Sequence, residues 1–174
     1  MEIKIFGRQE LERFVQKNPK QWDVIYYTHS ESPSIALIED SAIESLHMPV
    51  DDIDHYELKL HVAPTAELVK KFLDFAKGRK KLVCACAAGI SRSSSTAYLC
   101  TAQEHGADAG LNVLQKAHHW PNRLNVYIGS VLLKNPDIWT KFVELMRNWN
   151  GHDPSMGGGW PTKSMISEMG FDKL

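Results

Sequence analysis

The sequence is poor in cysteine, in long apolar runs and in net charge, and each shortage excludes a class of protein. Only three cysteines occur, Cys84, Cys86 and Cys100. An odd count with two of them two positions apart is not the framework of a disulfide-stapled secreted domain. No stretch approaches the ~20 apolar residues that cross a bilayer, and the opening MEIKIFGRQELERF lacks the charged-then-apolar pattern of a secretory leader. Twenty Lys+Arg against 21 Asp+Glu leave a net charge of −1, so there is no global pull on nucleic acid or on an acidic membrane. The eight histidines are scattered apart from the His118-His119 doublet, and no metal-ligand spacing emerges. These absences predict a cytoplasmic protein with no metal and no nucleic-acid or membrane partner. What is present suits one domain of ordinary size: 174 residues, 43% of them hydrophobic, can bury a core without disulfide or metal staples.

Apolar spacing divides the chain into alternating elements. MEIKIFG reads as a strand closed by Gly7, RQELERFVQKN as a helix stopping before Pro19, and DVIYYT and SLHMPV as two further strands. SESPSIALIEDSAIE fits either a helix or an irregular crossover. Pro64 suits the first turn of a helix whose apolar face is Leu68, Val69, Phe72, Leu73 and Ala76, with Gly78 ending it. KLVCA is a short apolar strand, followed by a loop and the helical SSSTAYLCTAQEH. Helices are also expected over 109–117, 126–134 and 137–149, where Trp139, Phe142 and Trp149 recur at helical spacing. This order favours an α/β layered fold with a central, mostly parallel sheet flanked by helices. At Gly151 the pattern changes to GHDPSMGGGWP, so residues 1–150 form the expected domain and 151–174 a mobile Gly/Pro-containing tail. Within it SMISEMGF predicts one short helix docked through Met165, Ile166 and Phe171.

The chemically informative stretch is LVCACAAGISRSS, residues 82–94. Cys86 and Arg92 are separated by five residues on a tight loop between a strand and a helix. In such a loop the amides of Ala87, Ala88, Gly89, Ile90 and Ser91 can turn inward, and the helix N-terminus adds unpaired donors and its dipole, which together make an anion cradle. A thiolate at the bottom is stabilised by that field. Arg92 can hold two phosphate oxygens at once and stays charged. Gly89 allows the bend, and Ser93 can donate its hydroxyl to the sulfur. Cys84 reads as a buried strand residue. A protective Cys84–Cys86 or Cys86–Cys100 disulfide is a weaker reading, as is an unrelated sulfur-transfer or redox role for Cys86.

These residues resemble the signature of the cysteine-based protein tyrosine phosphatase superfamily: Cys, five residues including a Gly, then Arg followed by Ser or Thr. AGISRS with its small-residue helix is most similar to the compact dual-specificity-type and bacterial members. MPVDDID, the helix from Pro64 and PNRL at 121–124 extend the likeness. The resemblance implies a phosphatase-like α/β fold and a phosphocysteine intermediate on Cys86. It also implies phosphate binding by Arg92 and the loop 87–91, and an upstream Asp acting as general acid and then as general base. Asp52 is the favoured acid because PVDDI matches the strand end that carries it; Asp54 is the reserve and Asp51 the third choice. Asn122 would brace the cradle, and no cofactor or metal is implied. The substrates would be phosphorylated proteins or peptides, phosphotyrosine first and phosphoserine or phosphothreonine second. Ala87, Ala88 and Ile90 stand where lipid-directed members tend to carry lysines, which disfavours phosphoinositides. One departure matters: Ala85 replaces the family's usual His before the nucleophile. That predicts weakened or retuned activity, and its alternative is a pseudophosphatase that captures phosphorylated partners. His118 and His119 read as solvent-facing or capping, and Gly78-Arg79-Lys80-Lys81 as a solvated basic turn.

Overall fold

A computed structural model describes residues 1–53, 62–115, 118–150 and 161–174. In chain order the elements are β1 (Glu2–Gly7), α1 (Arg8–Lys17), β2 (Asp23–Thr28), α2 (Ala36–Ser41), β3 (Ser45–Pro49), α3 (Ala66–Ala76), β4 (Lys81–Cys86), α4 (Arg92–His105), α5 (Ala107–Leu111), α6 (Arg123–Leu132), α7 (Pro136–Asn150) and α8 (Lys163–Glu168). A 3₁₀ turn at Phe171–Lys173 follows. The sheet order is β1-β4-β2-β3 and every pairing is parallel. The expected sheet was mostly parallel; among the described residues it is wholly so.

Alternation along the strands sorts the core into two layers. Leu82, Cys84 and Cys86 of β4, with Ile25 and Tyr27 of β2, face α3, α4, α6 and α7. Val83 and Ala85, with Val24 and Tyr26, face α1 and α2 through Leu11, Val15 and Ile38. A strand packed on both sides reads as an unbroken apolar run, which is why LVCAC carries no polar residue. Because all strands run the same way, their C-terminal ends at Gly7, Thr28, Pro49 and Cys86 lie along one sheet edge, where ligands of open α/β sheets bind.

Several boundaries differ from expectation for identifiable reasons. The ambiguous segment after β2 contains α2, whose entry is fixed where the amide of Ile35 donates to the Tyr26 hydroxyl at 3.0 Å. The helix expected over 126–134 begins earlier, because the Asn122 side chain caps it by accepting from the Asn125 amide at 3.1 Å. It ends before Lys134, which has a positive φ of 50°. Of the helix expected over 109–117, residues 116–117 lie outside the described residues and the described part holds a helix at Ala107–Leu111, whereas the helix expected over 137–149 extends one residue at each end. Arg79 is not simply solvated: it donates to Asp23 Oδ1 at 2.9 Å and pairs with Glu44, tying the turn before β4 to β2 and β3.

Residues 151–160, and with them most of the expected mobile stretch, lie outside the described residues. Beyond them α8 forms with Thr162 as its cap. Met165 is buried and Phe171 packs against the main core, but Ile166 is 42% exposed and does not dock the helix. Met169 takes its place: it is fully buried, and its carbonyl accepts from the Ala66 amide at 2.7 Å, satisfying a donor at the N-terminus of α3. No helix among the described residues is long and apolar enough to cross a membrane.

Candidate active site

β4 delivers Cys86 to the sheet edge and α4 starts six residues later at Arg92, so the loop 87–91 must reverse direction in very little space. Gly89 makes that possible: its φ is +76°, and a Cβ there would lie 2.5 Å from Gly7 N. Three of the loop carbonyls are engaged by the surrounding protein. Ala87 O accepts from Arg8 N (3.2 Å), Ile90 O from Trp120 N (3.0 Å) and the Ser94 hydroxyl, and Ser91 O from Ser95 N (3.0 Å) and Asn122 N (3.3 Å). With these three carbonyls tied to the protein and the Gly89 amide reaching the Cys86 sulfur, the loop has the character of an anion nest.

Cys86 is 3% exposed, with its sulfur 3.2 Å from Ser93 Oγ. Burial pushes this thiol up. The Ser93 hydroxyl and amide, the Arg92 charge and the Gly89 amide together outweigh burial and hold the thiol below its ordinary value. Arg92 is likewise 3% exposed. Its Nη1 donates to Thr28 O at 3.0 Å and Val50 O at 2.5 Å, which aligns the guanidinium from the ends of β2 and β3. Its buried Nε has no hydrogen-bond partner among the described residues, and Asp52 Oδ2 stands 3.7 Å away. A buried charged donor without an acceptor is costly, and an oxyanion in the cradle would supply one.

Asp52 sits at the rim with its side chain 37% exposed. Its Oδ1 accepts from the Ser91 hydroxyl at 2.7 Å and from Asn122 Nδ2 at 3.3 Å, and Asn122 also donates to Ile53 O at 3.0 Å. Asn122 therefore links three parts of the site: the acidic loop, the cradle and the start of α6. Asp54 lies outside the described residues. Asp51 is used differently, since its buried carboxylate accepts from Ser30 N (3.2 Å), Ser30 Oγ (2.7 Å) and Val62 N (2.9 Å). Burial pushes its carboxyl up, but the Val62 amide and the Ser30 hydroxyl and amide prevail and hold it well below the usual carboxylate range. This is a clasp between the loops after β2 and β3, which removes Asp51 from the candidate acids. Asp51→Asn should cost roughly 1–3 kcal/mol in urea unfolding, since it weakens charge-assisted hydrogen bonds to buried donors. The sign with pH follows from a folded pKa below the unfolded one: the clasp stabilises fully above about pH 4 and its contribution fades as pH falls further. The gap between wild type and variant should therefore shrink on acidification.

Ala85 points away from Cys86, into the layer of α1 and α2. Its register partner on β2 is Tyr26, 1% exposed, whose ring fills that face and stacks on His47 at 5.0 Å. A void of about 10 Å³ remains between Ala85, Tyr26 and Leu11, room for one water at most. Ala85→His should consequently destabilise the fold by about 1–3 kcal/mol through overpacking, read as a lower midpoint in urea, and should not raise activity. The small residue at 85 is matched to Tyr26.

Cys84 and Cys100 are free and fully buried, and burial together with Cys100 pushes the Cys84 thiol up, as expected of packing residues. His119 accepts from the Gln115 amide at 2.9 Å, a loop-capping role. Residue type carries no signal for Thr28 and Val50, which act through main-chain carbonyls, nor for the exposed Trp120 bonded to Ile90 of the cradle.

No family model and no curated protein matches this chain. Among solved structures it is similar to Tk-PTP in its active form, with 17% identity over 77% of this chain and 92% of that one and a TM-score of 0.52. It is also similar to PTPMT1 in complex with PI(5)P, with 15% identity over 81% of this chain and 94% of that one and a TM-score of 0.53. At such identities the likeness concerns the fold, and the fold is the α/β architecture of the cysteine-based tyrosine phosphatases.

Proposed function

We propose that this chain, with its cysteine-phosphatase fold, is a metal-independent phosphomonoesterase acting on phosphotyrosine in proteins or peptides, and more slowly on phosphoserine and phosphothreonine. The observation that carries the reading is the pairing of a thiol held below its ordinary pKa with the unsatisfied Nε of the buried Arg92 on the same cradle. In this reading the Cys86 thiolate attacks phosphorus and the P–O bond to the substrate breaks. Asp52 gives its proton to the leaving oxygen. Arg92 and the amides of 87–91 hold the three non-bridging oxygens, whose charge they oppose throughout. Water then attacks the phosphocysteine, passes a proton to the Asp52 carboxylate and releases phosphate, which regenerates the thiolate. Ser93 supports the departure of the sulfur by donating to it.

The preference for an aryl ester rests on the rim. Ile90 and Trp120 are 43% and 46% exposed and are joined by the bond from Trp120 N to Ile90 O. Two large apolar side chains at the edge of an anion cradle suit a substrate whose phosphate is carried on a ring. Trp120→Ala should then raise KM for a phosphotyrosine peptide roughly 5–10-fold, the worth of about 1–1.5 kcal/mol of aromatic contact. It should leave the slower phosphoserine reaction unchanged. The direct test of function is turnover of p-nitrophenyl phosphate between mildly acidic and neutral pH with chelator present. Phosphopeptide binding without turnover would favour capture over catalysis.

A further inference from the structure

The guanidinium of Arg92 is aimed by two carbonyls, and one of them is itself held by a side chain outside the cradle. His47 lies on β3, stacked on the Tyr26 ring at 5.0 Å and 19° between planes, and its Nε2 is 2.7 Å from Thr28 Oγ1. The same Thr28 hydroxyl donates its single proton to His29 O at 3.0 Å. Both contacts are hydrogen bonds at once in the tautomer whose His47 Nε2 carries the hydrogen and donates to the Thr28 hydroxyl. The Thr28 hydroxyl is in this way fixed from both sides, and with it the orientation of the peptide unit after Thr28. That unit's carbonyl is the one which receives Arg92 Nη1 at 3.0 Å.

We propose that His47 is a positioning residue for Arg92: through Thr28 it locks the carbonyl that orients the guanidinium and so keeps Nε facing the phosphoryl group. Thr28 is the last residue of β2 and is followed by the exposed His29, so the peptide after it lies where the ladder with β3 stops. A guanidinium rotated by a slipped carbonyl would present its fork to the wrong oxygens, and bidentate recognition is lost with small angular errors. His47 reaches the cradle through Thr28, so its effect should appear on oxyanion affinity, not on proton transfer.

The inference rests on the phosphatase reading, and the experiment separates the two. Steady-state kinetics on p-nitrophenyl phosphate and calorimetric binding of inorganic phosphate are measured for wild type, His47→Ala, His47→Gln, Thr28→Val and the His47→Ala/Thr28→Val pair. His47→Ala should weaken phosphate binding and raise KM about tenfold, the scale of one hydrogen bond serving a charged group, with a smaller change in kcat. His47→Gln, which restores an N–H donor near the same place, should recover most of both. Thr28→Val should reproduce the loss, and the double variant should be no worse than either single one, because both break one chain of contacts. A lower melting temperature in His47→Ala with wild-type KM and phosphate affinity would overturn the proposal, and so would additive losses in the pair. A wild type inert toward p-nitrophenyl phosphate overturns the phosphatase reading alone if it still binds phosphate in a His47-dependent way. A wild type that neither turns over nor binds phosphate overturns both.

Discussion

Cys86→Ser is expected to abolish turnover of p-nitrophenyl phosphate, by at least roughly 10⁴-fold, because removing a covalent nucleophile from a preassembled site costs about 10⁶ in well-studied hydrolases. The replacement is nearly isosteric and leaves Ser93, Arg92 and the loop carbonyl contacts in place, so the fold and phosphate binding should survive. Only the attacking atom changes. A serine hydroxyl remains protonated under the field that ionises a thiol, and the cradle offers it no adjacent general base. The pH profile of the wild type should report the same chemistry. Burial opposes ionisation of Cys86, yet the Ser93 hydroxyl and amide, Arg92 and the Gly89 amide together lower its pKa from the ordinary thiol value. Activity should therefore persist below that value and be lost only where falling pH protonates the sulfur. The measurement is kcat/KM against pH for wild type beside the variant, with circular dichroism confirming the fold. Residual turnover in Cys86→Ser within tenfold of wild type would sink the covalent mechanism.

What the sequence made legible was local. The apolar run of β4, the Gly89 bend and the Cys86–Arg92 spacing lie within 13 consecutive residues of the chain, and residue type alone announces a strand, an anion-binding turn and a helix start. The strand order β1-β4-β2-β3 was not written in any such stretch. Neither were the acceptors of Arg92, which come from 64 and 42 residues upstream and are backbone oxygens that any residue would carry. Asp51 and Asp52 are neighbours of identical type, and only tertiary contacts separate a buried clasp from a rim carboxylate. Ala85 looked like a loss when read alone. In the fold it is the buried register partner of Tyr26, and the imidazole stacked on that ring belongs to His47 of β3. At the C-terminal end, helical periodicity correctly suggested a short helix docked through Met165 and Phe171 but misassigned Ile166 as its third anchor. Ile166 and Met169 are both apolar, and the side facing α3 is decided by the Ala66–Met169 hydrogen bond.

Asp52→Asn should lower kcat for a phosphotyrosine peptide by about 10²–10⁴, the usual contribution of a positioned general acid, while leaving phosphate affinity near wild type. Asparagine keeps an oxygen that can accept from the Ser91 hydroxyl and Asn122, the contacts that hold Asp52 at the rim, so the change falls on proton delivery and not on the shape of the site. The dependence on leaving group is the sharper signature. Tyrosine leaves as a phenol of pKa about 10 and needs its proton in the transition state, whereas p-nitrophenolate is a far weaker base and departs with little help. The loss should accordingly be large for the peptide and small for p-nitrophenyl phosphate. Asp51→Asn is the matched control: its effect should appear in urea unfolding, with kcat per folded molecule retained. An unchanged kcat for the peptide in Asp52→Asn, with the loss found instead in Asp54→Asn, would transfer the role two positions along the chain and leave Asp52 as a partner of Ser91 and Asn122.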